Sequence, residues 1–323
     1  MYSLDLDDWF EKKPHKMKMG VELEMTLYDL QRKDLVQQNS FVLEILEDLP
    51  REIWKDYYPY QLEIRSNPHS NPDDIIREVR EFYRIARRKF AENGIAVIPA
   101  TGILDGQVFC GMHVHVSYKS ADEETYWRRA MGIYPFALSI ADHTKNFEID
   151  LIHTSKRLLE SRHIGRPPLS FSAFIRSGTK YSDIAYRQRE NGEGGRVRME
   201  RPTTIEIRVF DTPSLFSHFK FIVEAMYHVA RYIKDNNPFT SLIENNIRAA
   251  NNAVDMTRLL MEHQRYGVNK ILRGKLNADV CRMIAERFNI DFPNETQFEY
   301  RERMNLNADI NGFLVLALKG GWD

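Results

Sequence analysis

Four short segments share a period-two alternation whose polar positions are mostly ionisable, and this constrains the fold more tightly than any other feature of the chain. Successive side chains of a β-strand point to opposite faces, so residues two apart share a face at a spacing of roughly 6–7 Å. In GVELEM, Glu22 and Glu24 share one face and Val21, Leu23 and Met25 the other. In QLEIRS, Gln61, Glu63 and Arg65 oppose Leu62 and Ile64. In GMHVHVS, His113, His115 and Ser117 oppose Met112, Val114 and Val116. In TTIEIRVFD, Thr204, Glu206 and Arg208 oppose Ile205, Ile207 and Val209. Each segment reads as a strand with one apolar face for a core and one face of charge.

An antiparallel sheet with one solvated face would explain any one segment. The residue types argue for more. Glutamate is depleted in strands, and like charges side by side on a sheet repel, which a bound cation would relieve. Carboxylate oxygens with an imidazole suit a hard divalent ion such as magnesium, which keeps waters and phosphate oxygens as further ligands. A zinc hydrolase built on the His113-x-His115 pair is the alternative. It lacks an obvious third histidine or thiolate partner in the sequence.

The rest of the chain mixes helix and strand. Asp73 to Asn93 reads as a helix capped by Asp73 or Asp74, with Ile76, Val79, Tyr83, Ala86 and Phe90 at three- and four-residue steps and Gly94 as its stop. A strand is expected from Ile95 to Pro99, and a helix bent at Pro135 from Asp122 to Asn146. The glycine- and arginine-rich stretch Ser177 to Pro202 reads as a mobile exposed loop. Beyond Ser214 the spacing predicts helices near 215–235, 239–264 and 276–288. The expected division is a sheet domain over 1–213 and a mainly helical region over 214–323 that packs on it and offers a surface for self-association.

At 323 residues the chain is long enough for a sizeable core, and its net charge of −1 supplies no global field for nucleic acid or an anionic membrane. Two cysteines, Cys110 and Cys281, make no disulfide framework. The first residues lack the apolar core of a signal peptide, and no run of 18 apolar residues occurs. A cytoplasmic protein is expected.

The same segments carry a resemblance. GMHVHVS and TIEIRVFD resemble the histidine strand and the E-x-R strand of glutamine synthetases, and HTSKRL around Arg157 resembles that family's substrate-arginine segment. The early GVELE and the following QLEIRSNP resemble instead the type-2 glutamate cysteine ligase and carboxylate-amine ligase branch. The resemblance covers about Gly20 to Pro213. It implies an α+β fold, a curved antiparallel sheet with helices on its convex face, and ATP with two or three Mg2+ ions on the concave face. Carried over by position, it implies Glu22, Glu24, Glu63, His113 and Glu206 as metal ligands and His115 beside the nucleotide. It likewise implies Arg208 on the transferred phosphoryl group and Arg157 on the substrate carboxylate.

The activity so implied is ligation of a carboxylate to an amine through an acyl phosphate, with formation of ADP and an amide, of γ-glutamyl type. Such an intermediate hydrolyses easily, so a water-excluding lid is expected, with Ser177 to Pro202 the candidate. The long glycine-rich signatures of glutamine synthetases are missing, and ammonia is not the expected amine. Two rivals from other classes are a guanidino-kinase-like phosphotransferase, which would make no amide, and a non-catalytic nucleotide or metal sensor. The pair Glu206 and Arg208 speaks against a sensor, because binding alone requires no contact to a transferred phosphate.

Overall fold

A computed structural model describes residues 5–100, 110–144, 184–187, 203–241, 277–307, 309–319 and 321–322, with 184–187 described as backbone. Its centre is an eight-stranded sheet in which every pairing is antiparallel. The strands are β1 (Met17–Asp29), β2 (Asp34–Leu35), β3 (Ile53–Lys55), β4 (Gln61–Arg65), β5 (Ile95–Ile98), β6 (Gly111–Tyr118), β7 (Ile184–Arg187) and β8 (Thr204–Asp211). Their order is β3-β4-β1-β6-β8-β7, with β2 and β5 also pairing with β1. β1 is 13 residues long and organises the rest. It pairs with β6 along Met17–Leu23, with β4 along Glu22–Thr26 and with β5 along Thr26–Asp29.

The alternation read from the sequence is the alternation of the sheet. Val21, Leu23, Met25, Leu62, Ile64, Met112, Val114, Val116, Ile205, Ile207 and Val209 are all buried in one continuous core. That core is closed by α3 (Pro72–Ala91), α4 (Glu123–His143) and α5 (Phe216–Tyr232), preceded in the chain by the short α1 (Leu6–Trp9) and α2 (Asn39–Leu46). Burying an aliphatic side chain of this kind is worth about 1.5–3 kcal/mol, so the apolar face holds the sheet against the helices and leaves the opposite face for charge.

α3 matches its expected span with one change at the start. Asn71, not Asp73 or Asp74, is the cap: its side chain accepts from Asp73 N at 3.2 Å, and Pro72 occupies the first helical turn. Proline is pre-shaped for that position and its missing N–H costs nothing there, which displaces the cap to the residue before it. Gly94, at φ 72°, turns the chain out of the helix towards β5. α4 starts where Asp122 accepts from Thr125 N at 2.8 Å and continues as helix through Pro135.

The stretch Ser177 to Pro202 contains β7, which pairs with β8 from Ile184↔Ile207 to Arg187↔Thr204. An irregular loop would have left that edge of β8 without backbone partners. The remainder of this stretch, Arg157, and nearly all of the expected helix 239–264 lie outside the described residues. The C-terminal elements are α6 (Asn277–Phe288), α7 (Gln297–Arg303) and α8 (Ile310–Leu318). α6 contributes Val280, Cys281 and Ile284 to the main core, and Trp322 packs on Phe219 and Tyr83 with ring centroids 4.8 and 5.1 Å away. Cys110 and Cys281 are both buried. No described helix is long and apolar enough to cross a membrane.

Candidate active site

Directly opposite residues of an antiparallel pair project to the same face, so the register assembles the site. Glu22 stands opposite His113 on β6 and Arg65 on β4; Glu24 stands opposite Glu63; His115 stands opposite Glu206 on β8. The polar positions of four strands separated by up to 184 residues in sequence therefore meet on one face. The centre of that face is shielded from solvent. Glu24 is 6% exposed, Glu63 4%, His113 3% and Glu206 3%.

His113 lies at the middle of the carboxylates. Its Nδ1 is 3.2 Å from Glu22 Oε2 and 3.6 Å from Glu206 Oε1, and its Nε2 is 3.4 Å from Glu24 Oε1. His115 Nε2 is 3.4 Å from Glu22 Oε2. The Gly111 N–H donates to Glu24 Oε2 at 2.6 Å and holds this carboxylate, while the Thr212 hydroxyl donates to the Glu24 backbone carbonyl at 2.6 Å and pins the main chain beneath it. Arg208 donates to Glu206 at the far edge, and Arg65 donates to Glu63 at the near edge. A register shift between β6 and β8 places both Arg208 and Val209 opposite His113, a β-bulge of the kind that often re-aims side chains beside functional sites.

Two groups of ligand atoms result, each within 4.8 Å of one another: Glu22, His115 and Glu206, and Glu24, Asp56 and Glu63. The electrostatics register the crowding. Burial pushes the Glu22 carboxyl up, but the His115 and His113 imidazoles outweigh it and hold Glu22 well below the usual carboxylate range. Burial and the neighbouring Glu22 charge push Glu63 up to about 8, against the pull of Arg65. Asp56 is raised by burial and by Glu24. Hard oxygen donors predominate in both groups, a donor set that fits magnesium and gives zinc few of the nitrogen and sulfur ligands it prefers.

All of the expected site residues within the described part of the chain therefore share this face: Glu22, Glu24, Glu63, His113, His115, Glu206 and Arg208. The sequence reading missed Asp56. It lies in the turn between β3 and β4, where strand alternation does not operate, and only its fixed offset from Glu63 in a tight hairpin hints at a shared site. A cleft of about 390 Å³ at the end of β6, lined by Ser117, Asp122, Tyr126 and Thr203, includes none of these site residues.

No protein-family model matches the sequence, and a search of curated proteins found no match. Solved structures do match. A bifunctional glutathione synthetase from Pasteurella multocida superposes with a TM-score of 0.53 at 12% identity over 95% of this chain, which spans 51% of that enzyme, about half its length. The glutamate–cysteine ligase of Francisella tularensis, determined with AMP, superposes with a TM-score of 0.50 at 12% identity, covering 95% of this chain and 81% of that one. At such identity the likeness concerns the path of the backbone. By that measure the chain shares its fold with this glutathione synthetase and this glutamate–cysteine ligase.

Proposed function

We propose that the chain is an ATP-dependent carboxylate-amine ligase that forms an amide, of γ-glutamyl type, and releases ADP. The observation that carries this reading is the pair of carboxylate groups joined by His113, with the Arg208 guanidinium at their edge. Glu22, Glu206 and the two histidines would hold one Mg2+, and Glu24, Asp56 and Glu63 a second. Magnesium bound there supplies charge neutralisation for the phosphates of ATP.

The chain's own residues do the remaining work. A carboxylate is a poor electrophile, so activation requires transfer of a phosphoryl group to its oxygen before the amine attacks. Arg208 meets the negative charge that spreads over that group in transit, and it is already aimed by its bond to Glu206. His115 borders the nucleotide. Arg157 holds the substrate carboxylate through its planar fork of donors.

The test is magnesium-dependent ATP turnover against a panel of amino acids paired with amines, with mass detection of products. The expected result is ADP, phosphate and a condensed product lighter by one water, all lost in Glu206→Ala. A phosphorylated guanidine in place of an amide would favour a phosphotransferase. ATP binding without turnover for any pair would favour a sensor.

A further inference from the structure

Arg65 is a charged group of this face, in contact with the carboxylate cluster, that the reading above leaves without a task. It leaves the end of β4 with Glu63 on one side and Trp54 on the other. Its guanidinium donates to Glu63, its Nε lies 3.7 Å from Glu22 Oε1, and its guanidinium carbon lies 5.6 Å from the centre of the Trp54 ring. Trp54 is opposite Glu63 in the β3–β4 register and so belongs to the charged face, yet it is 54% exposed at the outer edge of the sheet. An arginine stacked on an indole is held flat with its donors directed outwards from the ring edge. The arrangement orients a cation at the rim of the ion-binding carboxylates.

As the protein stands, the guanidinium is held by its hydrogen bond to the Glu63 carboxyl and by the charge of Glu22. Asp56, Glu22, Glu24, Glu63 and Glu206 crowd five carboxyl groups against the two guanidiniums of Arg65 and Arg208, so Arg65 is the counter-ion at this end of the cluster. A divalent cation taking Glu63 repels the guanidinium and removes its partner in the same event. We propose that Arg65, braced on Trp54, is a carboxylate-binding residue at the β3–β4 rim, freed for its substrate when Glu24, Asp56 and Glu63 take a divalent cation. The inference rests on the ligase reading and adds to it where one carboxylate-bearing substrate is received and why it follows the metal.

Three consequences are measurable. Removing a competing cation strengthens the metal site, so Arg65→Gln binds Mg2+ more tightly than the wild type, by about 5-fold, the lower range of typical coupling between sites. Trp54 reports the release, because Trp9, Trp127 and Trp322 are buried: Mg2+ alone changes the tryptophan emission of the wild type, and the change is absent in Trp54→Phe. With Mg2+ saturating, L-glutamate as the carboxylate probe binds at least about 10-fold more weakly to Arg65→Gln, and Arg65→Lys restores part of the loss.

Calorimetric titration of Mg2+ and then L-glutamate into the full chain, with circular dichroism to show that each variant is folded, decides the matter. Mg2+ affinity unchanged or weakened in Arg65→Gln, or glutamate affinity equal to the wild type, overturns the proposal. If Mg2+ binds to neither protein, the inference and the metal site fall together. The ligase reading fails separately, on the absence of a condensed product, and leaves these binding results standing.

Discussion

His113 and Glu22 face each other across the β1–β6 pair with Nδ1 3.2 Å from Oε2, and the other nitrogen of the same ring lies 3.4 Å from Glu24. One imidazole thus touches a carboxylate from each of the two ligand groups. Its removal strands both. His113→Ala is expected to weaken Mg2+ binding by at least about 10-fold and to cost the metal-free protein about 1–3 kcal/mol, the usual penalty for leaving buried polar groups without partners. Calorimetric titration and urea unfolding read the two effects, and unchanged Mg2+ affinity would remove His113 from the ligand set.

Glu63, pushed up to about 8, carries a proton in the metal-free protein at neutral pH. A metal ion must displace that proton. Mg2+ binding at pH 7 is expected to release close to one proton, and affinity should rise with pH up to about 8 and level off beyond it. Titrations in two buffers of different ionisation heat measure the release, and Glu63→Gln should abolish the pH dependence. The sign for folding is opposite: the folded state binds the extra proton, so this residue's contribution to stability is lost as pH rises through about 8.

His218 works in the other direction. Burial lowers its pKa to about 4, while its Nε2 lies 2.9 Å from the Glu295 carbonyl. The unfolded chain takes up a proton near pH 6.5 that the folded chain refuses until about 4, so stability falls as pH drops through that window. The difference in unfolding free energy between wild type and His218→Gln should shrink by about 2 kcal/mol between pH 7 and pH 5. A constant difference across that range would show that His218 is not a buried neutral imidazole.

Phe219 is fully buried between Phe216 and Trp322, with centroids 5.8 and 4.8 Å away. Phe219→Ala should cost about 3–5 kcal/mol in urea unfolding and leave Mg2+ affinity unchanged, since the residue belongs to the helical layer behind the sheet. A loss of Mg2+ binding at full folding would mean that this layer sets the strand register.

The charged face was legible because strand geometry converts sequence into position. Glu22, Glu24, Glu63, His113, His115 and Glu206 each obey a period of two, and the pairing register then brings them together without further information. Asp56 escaped because a turn residue has no period; its place depends on how tightly the β3–β4 hairpin closes. The Asn71 cap was missed for a smaller reason, the habit of proline for the first turn, which moves the cap to the residue before Pro72, two residues earlier than Asp73. β7 escaped because four residues among glycines and arginines give too short a pattern, whereas the open edge of β8 supplies the pairing that selects them. Which side chain lies over which carboxylate, as Arg65 over Glu63, depends on rotamers that no spacing encodes.

The extra residue that β8 carries opposite His113 turns the strand over once along its length. Upstream of it, Glu206 looks to the carboxylates; downstream, Phe210 pairs with Met112 and joins the core, although an unbroken alternation would have sent Phe210 to the charged side. One strand therefore runs on two phases, and the number of residues between Glu206 and Phe210 is a constraint separate from their identity. Substitutions there leave the phase alone, whereas a single deletion would remove the bulge, leave one residue opposite His113 in place of Arg208 and Val209, and keep the aromatic ring in the core through plain alternation.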